Sequence, residues 1–398
     1  MNPERILIFS RAIPLHRIGG MEMLTWDLAK AFKKRGFEVI IGTSEVQGYG
    51  RKFEKDGISI ETIPDTVSAR YCANFWRGTL DIYEREGRNT AAAVLSVSSA
   101  GRQIALSRDS SEIPIVMQAH GTSLGEIITK WRARSIKEFA KSSRNIYWLW
   151  KDRLAIKKYD AAICVSESVR GELMHPLSRL GSAPQEVVVI NNGIDTSVFR
   201  PDNPLRLALR EKLHWSNDPV VVCSCRLHAE KGVAQLIRAF IALLNAEPRA
   251  KLLLVGDGPE RERLTLQVDQ AGLGNKVHFA GAVSRETVAA YLAVGDVFAF
   301  LSLRLEGAPL NLLEALSVGK PCVLSRDLLD RVPGSDCVWG VDPSDPRAAA
   351  DAILQALESA KFGRRAQLPQ EFSIEHCADR YLDLFSRLRK RKQNKSSL

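Results

Sequence analysis

Short apolar runs recur along the whole chain, each followed by a glycine-containing loop and then by apolar residues three or four apart. Arg5-Ile-Leu-Ile-Phe9 predicts a strand over 5–10, and the loop after it runs through Gly19-Gly20. A helix is expected over 21–35, with Leu24, Leu28, Ala31 and Phe32 on one face and Gly36 as its stop. Further strands are expected over 38–43, 92–97, 114–119, 161–165 and 187–191. The same grammar restarts at Pro219-Val-Val-Val-Cys-Ser-Cys225 and continues with runs over 251–255, 277–280, 297–301 and 321–324. Continuous apolar runs are the mark of parallel strands covered on both faces, and parallel neighbours need helical crossovers. The class is therefore α/β with two parallel sheets.

A chain of 398 residues is too long for one core. The join is expected at Phe199-Arg-Pro-Asp-Asn-Pro204, which has two prolines and few apolar residues. This predicts domains over 1–200 and 201–370, an amphipathic helix within 371–388 (Phe372 to Phe385) and a basic tail over 389–398. No apolar run approaches the ~18 residues of a membrane span. The N-terminus leads directly into a strand, and the seven cysteines are scattered without paired Cys-x2-Cys spacing. A reduced, cytoplasmic protein without disulfide or zinc framework is expected.

The net charge of +10 calls for anions: nucleic acid, acidic lipid or a phosphorylated substrate. One cluster, Lys130 to Lys158, interleaves Lys130, Arg132 and Arg134 with Trp131, Phe139, Trp148 and Trp150. It has two readings: an interfacial surface for an anionic membrane on the inner face of the plasma membrane, or core tryptophans with a cationic coat. The second cluster, Arg387-Leu-Arg-Lys-Arg-Lys392, is expected to be a solvated end.

The most specific chemistry lies in Glu306-Gly-Ala-Pro-Leu-Asn-Leu-Leu-Glu314, after the buried run Asp296–Leu303. Pro309 suits the first helical position, where a missing N–H costs nothing. Free amides around Gly307, Ala308, Leu310 and Asn311 favour a phosphate. Carboxylates repel phosphate, so Glu306 and Glu314 are read as partners of hydroxyl groups beside it. A diphosphate flanked by hydroxyl-rich rings is a nucleotide sugar. Arg226 and Lys231 follow the strand over 219–225, at the edge where open α/β sheets bind ligands. Gly256-Asp-Gly-Pro259 lacks the Gly-x-Gly-x-x-Gly spacing, so Gly256 and Gly258 are read as a turn bordering the base. A P-loop is absent, and so is any Asp-x-Asp pair that could hold a metal on the diphosphate.

The order Gly19-Gly20, His120-Gly121, Asn192-Gly-Ile-Asp195, Arg226…Lys231-Gly232, Gly256-Asp-Gly-Pro259 and Glu306…Glu314 resembles the retaining glycosyltransferases of family 4, from about residue 5 to about 388. The resemblance implies the GT-B fold: two Rossmann-like domains facing across a cleft, with the last helix crossing back onto the first. It implies a retaining, metal-independent hexosyltransferase that needs no cofactor beyond the nucleotide-sugar co-substrate. Arg226 and Lys231 would stabilise the departing diphosphate, Glu306 would hold the sugar and Glu314 the ribose. Gly19 and Gly20 would reach the diphosphate from the first domain, and His120 would lie at the reacting centre. UDP-sugars stand first and GDP-mannose second, from family frequency alone. The acceptor would be a glycan or lipid-linked molecule of cell-surface polysaccharide or lipopolysaccharide biosynthesis. Two departures stand out: Ala308 replaces a frequent aromatic residue, and Ser302 lies one residue further from Glu306 than usual, so Ser302 receives no role. A nucleotide-sugar 2-epimerase of the same fold is the alternative. A non-enzymatic nucleic-acid-binding protein, suggested only by charge, gains nothing from the carboxylate pair; no nucleic-acid partner is expected.

Overall fold

The computed structural model describes residues 4–88, 90–107, 113–121, 154–176, 184–201, 205–304, 306–331, 336–363 and 365–396. The chain divides into two compact units, Met1–Gly193 with Glu371–Leu398, and Ile194–Gln370.

The first unit is built on β1 (Arg5–Phe9), β2 (Glu38–Ser44), β3 (Lys52–Lys55), β4 (Ile58–Ile63), β5 (Ala91–Val97), β6 (Ile115–Ala119), β7 (Ala161–Cys164) and β8 (Val187–Val189). Their order is β3-β4-β2-β1-β5-β6-β7-β8. Every described pair is parallel except β3–β4. All seven residues of β5 are buried, as a strand covered on both faces requires. The hairpin β3–β4 was not expected. Its signal is Asp56-Gly57, both at positive φ (52° and 70°), the two-residue turn that matches strand twist.

The last helix, Ile374–Ser396, belongs to this unit. Tyr381 and Phe385 set their rings 6.2 and 6.1 Å from Phe32 of the helix Gly20–Lys34. Residues 389–396, expected as a tail, continue the helix, because their cations find carboxylates. Arg389 reaches Glu4 at 2.6 Å, Arg387 reaches Glu186 at 2.7 Å, and Lys392 reaches the buried Asp160 at 3.1 Å.

The second unit holds β9 (Val220–Ser224), β10 (Lys251–Val255), β11 (Val277–Gly281), β12 (Val297–Phe300), β13 (Cys322–Ser325) and β14 (Val338–Val341). The order is β11-β10-β9-β12-β13-β14, all parallel. Strand β14 was missed: it is short and interrupted by Gly340. The chain winds one way from β9 and the other way from β12, so the switch point of the sheet lies between them. In the first unit the same reversal falls between β1 and β5. At the far end of the second sheet, Arg206, Arg210 and Lys320 converge on the last carbonyls of the helix Arg285–Val294. The Lys320 ammonium donates to Gly295 O at 2.6 Å, and burial, with Arg206 nearby, lowers its pKa to about 7.

Candidate active site

The loops after β9 and β12 meet at the switch point of the second sheet. The first turns through Ala229–Lys231 and reverses at Gly232, which has φ +69°. A Cβ there would lie 1.7 Å from the carbonyl oxygen of Leu301, so only glycine lets the two loops touch. That contact brings together residues far apart in sequence. The Lys231 ammonium donates to Glu306 Oε1 at 2.6 Å, with side chains 22% and 13% exposed. Ser302 Oγ donates to the same oxygen at 3.1 Å and lies within 3.3 Å of Glu230 O. Arg304 reaches Glu230 at 3.2 Å and closes the loop pair on its outer side. Sequence spacing gave Ser302 no role. The longer loop nevertheless returns Glu306 to its hydroxyl, and only the fold reveals that.

Arg226 is exposed on the same loop, and no described carboxylate lies within the 4.0 Å of an ion pair. The helix Leu310–Ser317 starts at the neighbouring loop. Pro309 is its N-cap rather than its first residue, and no side chain caps it. Its first amides are therefore not taken by a capping side chain. The Asn311 amide donates to Ser224 O at 2.8 Å and ties the helix start to β9. Glu314 follows, half-buried, within the helix. Gly307 and Ala308 form the turn between Glu306 and the cap. Gly256, with φ +125°, would place a Cβ 2.1 Å from Cys225 O, and Gly258 one 2.3 Å from Leu227 O. Both glycines thus pack the β10 loop against the β9 loop, which supports Arg226 and Lys231 from the opposite side to Glu306.

In the first unit, Gly19 is the N-cap of the helix Gly20–Lys34, again without a side-chain cap. Glu22, 3% exposed and paired with Arg17 at 2.7 Å, directs a carboxylate oxygen toward Gly19; a Cβ there would approach it to 2.4 Å. His120 ends β6. Its Nε2 lies 2.9 Å from Gln118 Oε1, and Gln118 Nε2 donates to the Tyr381 hydroxyl at 2.6 Å. Desolvation pushes the His120 pKa down to about 4, so its ring is neutral near pH 7. His16 is structural: Ile13 N–H donates to Nδ1 at 3.1 Å, and Nε2 lies 3.1 Å from Ser44 O. Asp195 closes its own turn, accepting from Ser197 N at 3.0 Å. His228 is exposed, 3.9 Å from Glu230. Lys130, Trp131, Arg132, Arg134, Trp148 and Trp150 lie outside the described residues. Among the described residues no group of His, Cys, Asp and Glu could hold a metal. No described helix is long and apolar enough to cross a membrane.

Two family models match in tandem. Glycosyltransferase Family 4 covers residues 18–198, and Glycosyl transferases group 1 covers 206–370. The chain belongs to the family 4 glycosyltransferases. The GDP-mannose-dependent alpha-(1-6)-phosphatidylinositol monomannoside mannosyltransferase of Mycolicibacterium smegmatis is 36% identical over 140 residues, 34% of this chain and 37% of that protein. Alignment with the first curated relatives thus spans less than half of their length. The alpha-monoglucosyldiacylglycerol synthase of Acholeplasma laidlawii is 25% identical over 81% of this chain and 80% of its own. The fold is GT-B. Sucrose-phosphate synthase from Thermosynechococcus elongatus superposes with a TM-score of 0.72 at 17% identity, covering 99% of this chain and 98% of that one. Anabaena HepE in complex with UDP and glucose gives 0.69 at 20% identity, covering 99% of this chain and all of its own.

Proposed function

We propose that this family 4 member transfers a hexose from a nucleotide-diphosphate sugar to a lipid-linked acceptor, with retention and without a metal. The observation that carries the reading is the Lys231–Glu306 contact at the switch point, beside the uncapped start of the helix Leu310–Ser317. Cations and orphan amides next to carboxylates suit a ligand with phosphate at one end and hydroxyls at the other. Arg226 and Lys231 stabilise charge growing on the departing diphosphate, the electrostatic work that a metal does elsewhere. Glu306, held by Ser302, accepts from hydroxyls of the transferred sugar, and Glu314 accepts from the ribose. The amides at Leu310 and Asn311 take the distal phosphate. On the first unit, the neutral His120 ring offers a hydrogen bond rather than a charge. The acceptor hydroxyl attacks on the face that the diphosphate leaves, and a phosphate oxygen takes its proton.

Two relatives are named for phosphatidylinositol mannosides and glucosyldiacylglycerol, which favours a lipid acceptor. On the first unit, Arg11 and Arg102 lie over the stacked Tyr71 and Trp76 rings, at 5.1 and 5.7 Å, and neither Nε has a hydrogen-bond partner. Both guanidiniums are cations, so a phosphate-bearing headgroup suits the charge of this face. The first curated relatives move GDP-mannose ahead of UDP-sugars as donor. A thermal-shift panel of nucleotide sugars tests the reading, because a ligand of the folded state raises its melting temperature. Stabilisation by GDP-mannose, with mannose transfer to phosphatidylinositol-containing lipid, is expected. Indifference to every nucleotide sugar refutes it.

A further inference from the structure

We infer that Tyr381 and Gln118 form a buried relay that fixes the orientation and tautomer of His120, and that the last helix thereby acts as a positioning element for that ring. The relay is a structural fact about the first unit. Its consequence for sugar transfer rests on the function proposed above.

Gln118 is the fourth residue of β6 and is wholly buried. A buried primary amide must place both a carbonyl and an NH2, and leaving either unpaired is costly. The Gln118 NH2 donates to the Tyr381 hydroxyl at 2.6 Å. Its Oε1 is then the end that faces His120, at 2.9 Å from Nε2. A carbonyl oxygen only accepts, so His120 carries its proton on Nε2 and keeps the Nδ1 lone pair as an acceptor. Turned end for end, the amide would accept from the Tyr381 hydroxyl and donate to Nε2, so a proton on Nε2 marks the orientation in which Gln118 donates to Tyr381, and Tyr381 cannot shift easily. Its ring is wholly buried, 6.2 Å from both Phe32 and Phe385. Arg35, the C-cap of the helix Gly20–Lys34, also binds Asp379 and donates to Glu375 O at 2.7 Å, so the last helix is pinned within the two turns before Tyr381. Family spacing draws attention to His120-Gly121, but Gln118 stands just before it in β6 and Tyr381 stands 263 positions after Gln118.

The relay makes a prediction that mere core packing does not. In full-length protein labelled with 15N-histidine, the His120 resonances report which ring nitrogen is protonated. Assignment comes from a His120→Gln spectrum. The wild type should show Nε2–H alone. Tyr381→Phe keeps the ring and deletes only the hydroxyl; it should introduce a second, Nδ1–H population as the Gln118 amide loses its anchor. Transfer turnover should fall about tenfold, the effect of ~1.4 kcal/mol in the barrier. Affinity for nucleoside diphosphate should not change. Gln118→Leu, which removes the amide outright, should give the same tautomer mixture. Dominant Nδ1–H in the wild type overturns the inference. So does an unchanged His120 spectrum in both variants. If the variants shift the tautomer but His120→Ala transfers sugar at the wild-type rate, the relay stands and the proposed role of His120 falls. A variant that unfolds is recognised by its melting curve, and the other then carries the test.

Discussion

Glu306→Gln separates the two tasks assigned to this carboxylate, and the two responses have opposite signs. In the free protein Glu306 holds Lys231 at 2.6 Å, both side chains being less than a quarter exposed. Two unit charges about 4 Å apart interact by ~4 kcal/mol at an effective dielectric constant of ~20. Partial exposure and salt reduce the usable part to ~1–2 kcal/mol. An incoming diphosphate must draw Lys231 away from Glu306 and settle near a like charge. The neutral amide removes both penalties, so a nucleoside diphosphate should bind roughly tenfold tighter. Sugar transfer should move the other way. A charge-assisted hydrogen bond to a sugar hydroxyl becomes a neutral one, which costs ~1–1.5 kcal/mol and lowers turnover about tenfold or more. Ser302 Oγ still has an acceptor in Gln, so the fold should lose no more than ~1 kcal/mol. Titration calorimetry with nucleoside diphosphate at two ionic strengths reads the first response, and steady-state transfer reads the second. Weaker diphosphate binding in Glu306→Gln, or transfer at the wild-type rate, refutes the reasoning.

Arg226→Ala and Lys231→Ala should each depress donor-dependent turnover, and the double variant should fall short of the product of the two effects, since both serve one diphosphate; a multiplicative double variant in the same kinetic assay contradicts this. Turnover should persist in EDTA, and complete loss that magnesium or manganese restores would remove the cation-for-metal assignment. Gly232→Ala should destabilise by ~3 kcal/mol or more in urea unfolding, because φ +69° and a Cβ 1.7 Å from Leu301 O leave no room, and near-native stability would contradict that geometry. Lys320 has a folded pKa of about 7, below its unfolded value, so between those pH values the unfolded chain holds the extra proton. Stability should therefore rise from pH 7 to 8.5, by up to ~1.4 kcal/mol per unit, and Lys320→Met should lose that rise. Equal pH slopes in urea unfolding would disprove it.

The strands and their parallel arrangement were legible because burial on both faces leaves a continuous apolar run that needs no partner to recognise. The runs around β1, β5, β9, β10 and β12 fell within a residue or two of the observed strands. The loop positions of Arg226, Lys231 and Glu306 and the helical position of Glu314 were legible, since a loop after a buried strand must open at the carboxyl edge. The hairpin β3–β4 carried its local signal in Asp56-Gly57 and not in an apolar run. Other features had no local signal. That Lys231 touches Glu306 is decided by β9 and β12 being neighbours, which follows from sheet order and not from either segment. The basic residues 387–392 read as a solvated end because their partners Glu4, Asp160 and Glu186 lie elsewhere in the chain. Gln118 and Tyr381 look like ordinary strand and helix residues until packing joins them beside His120. The sequence by itself determined which segments hide from water and which loops carry charge, because both are local free energies. Tertiary structure alone decided which charges meet, because that depends on the order in which strands lie side by side.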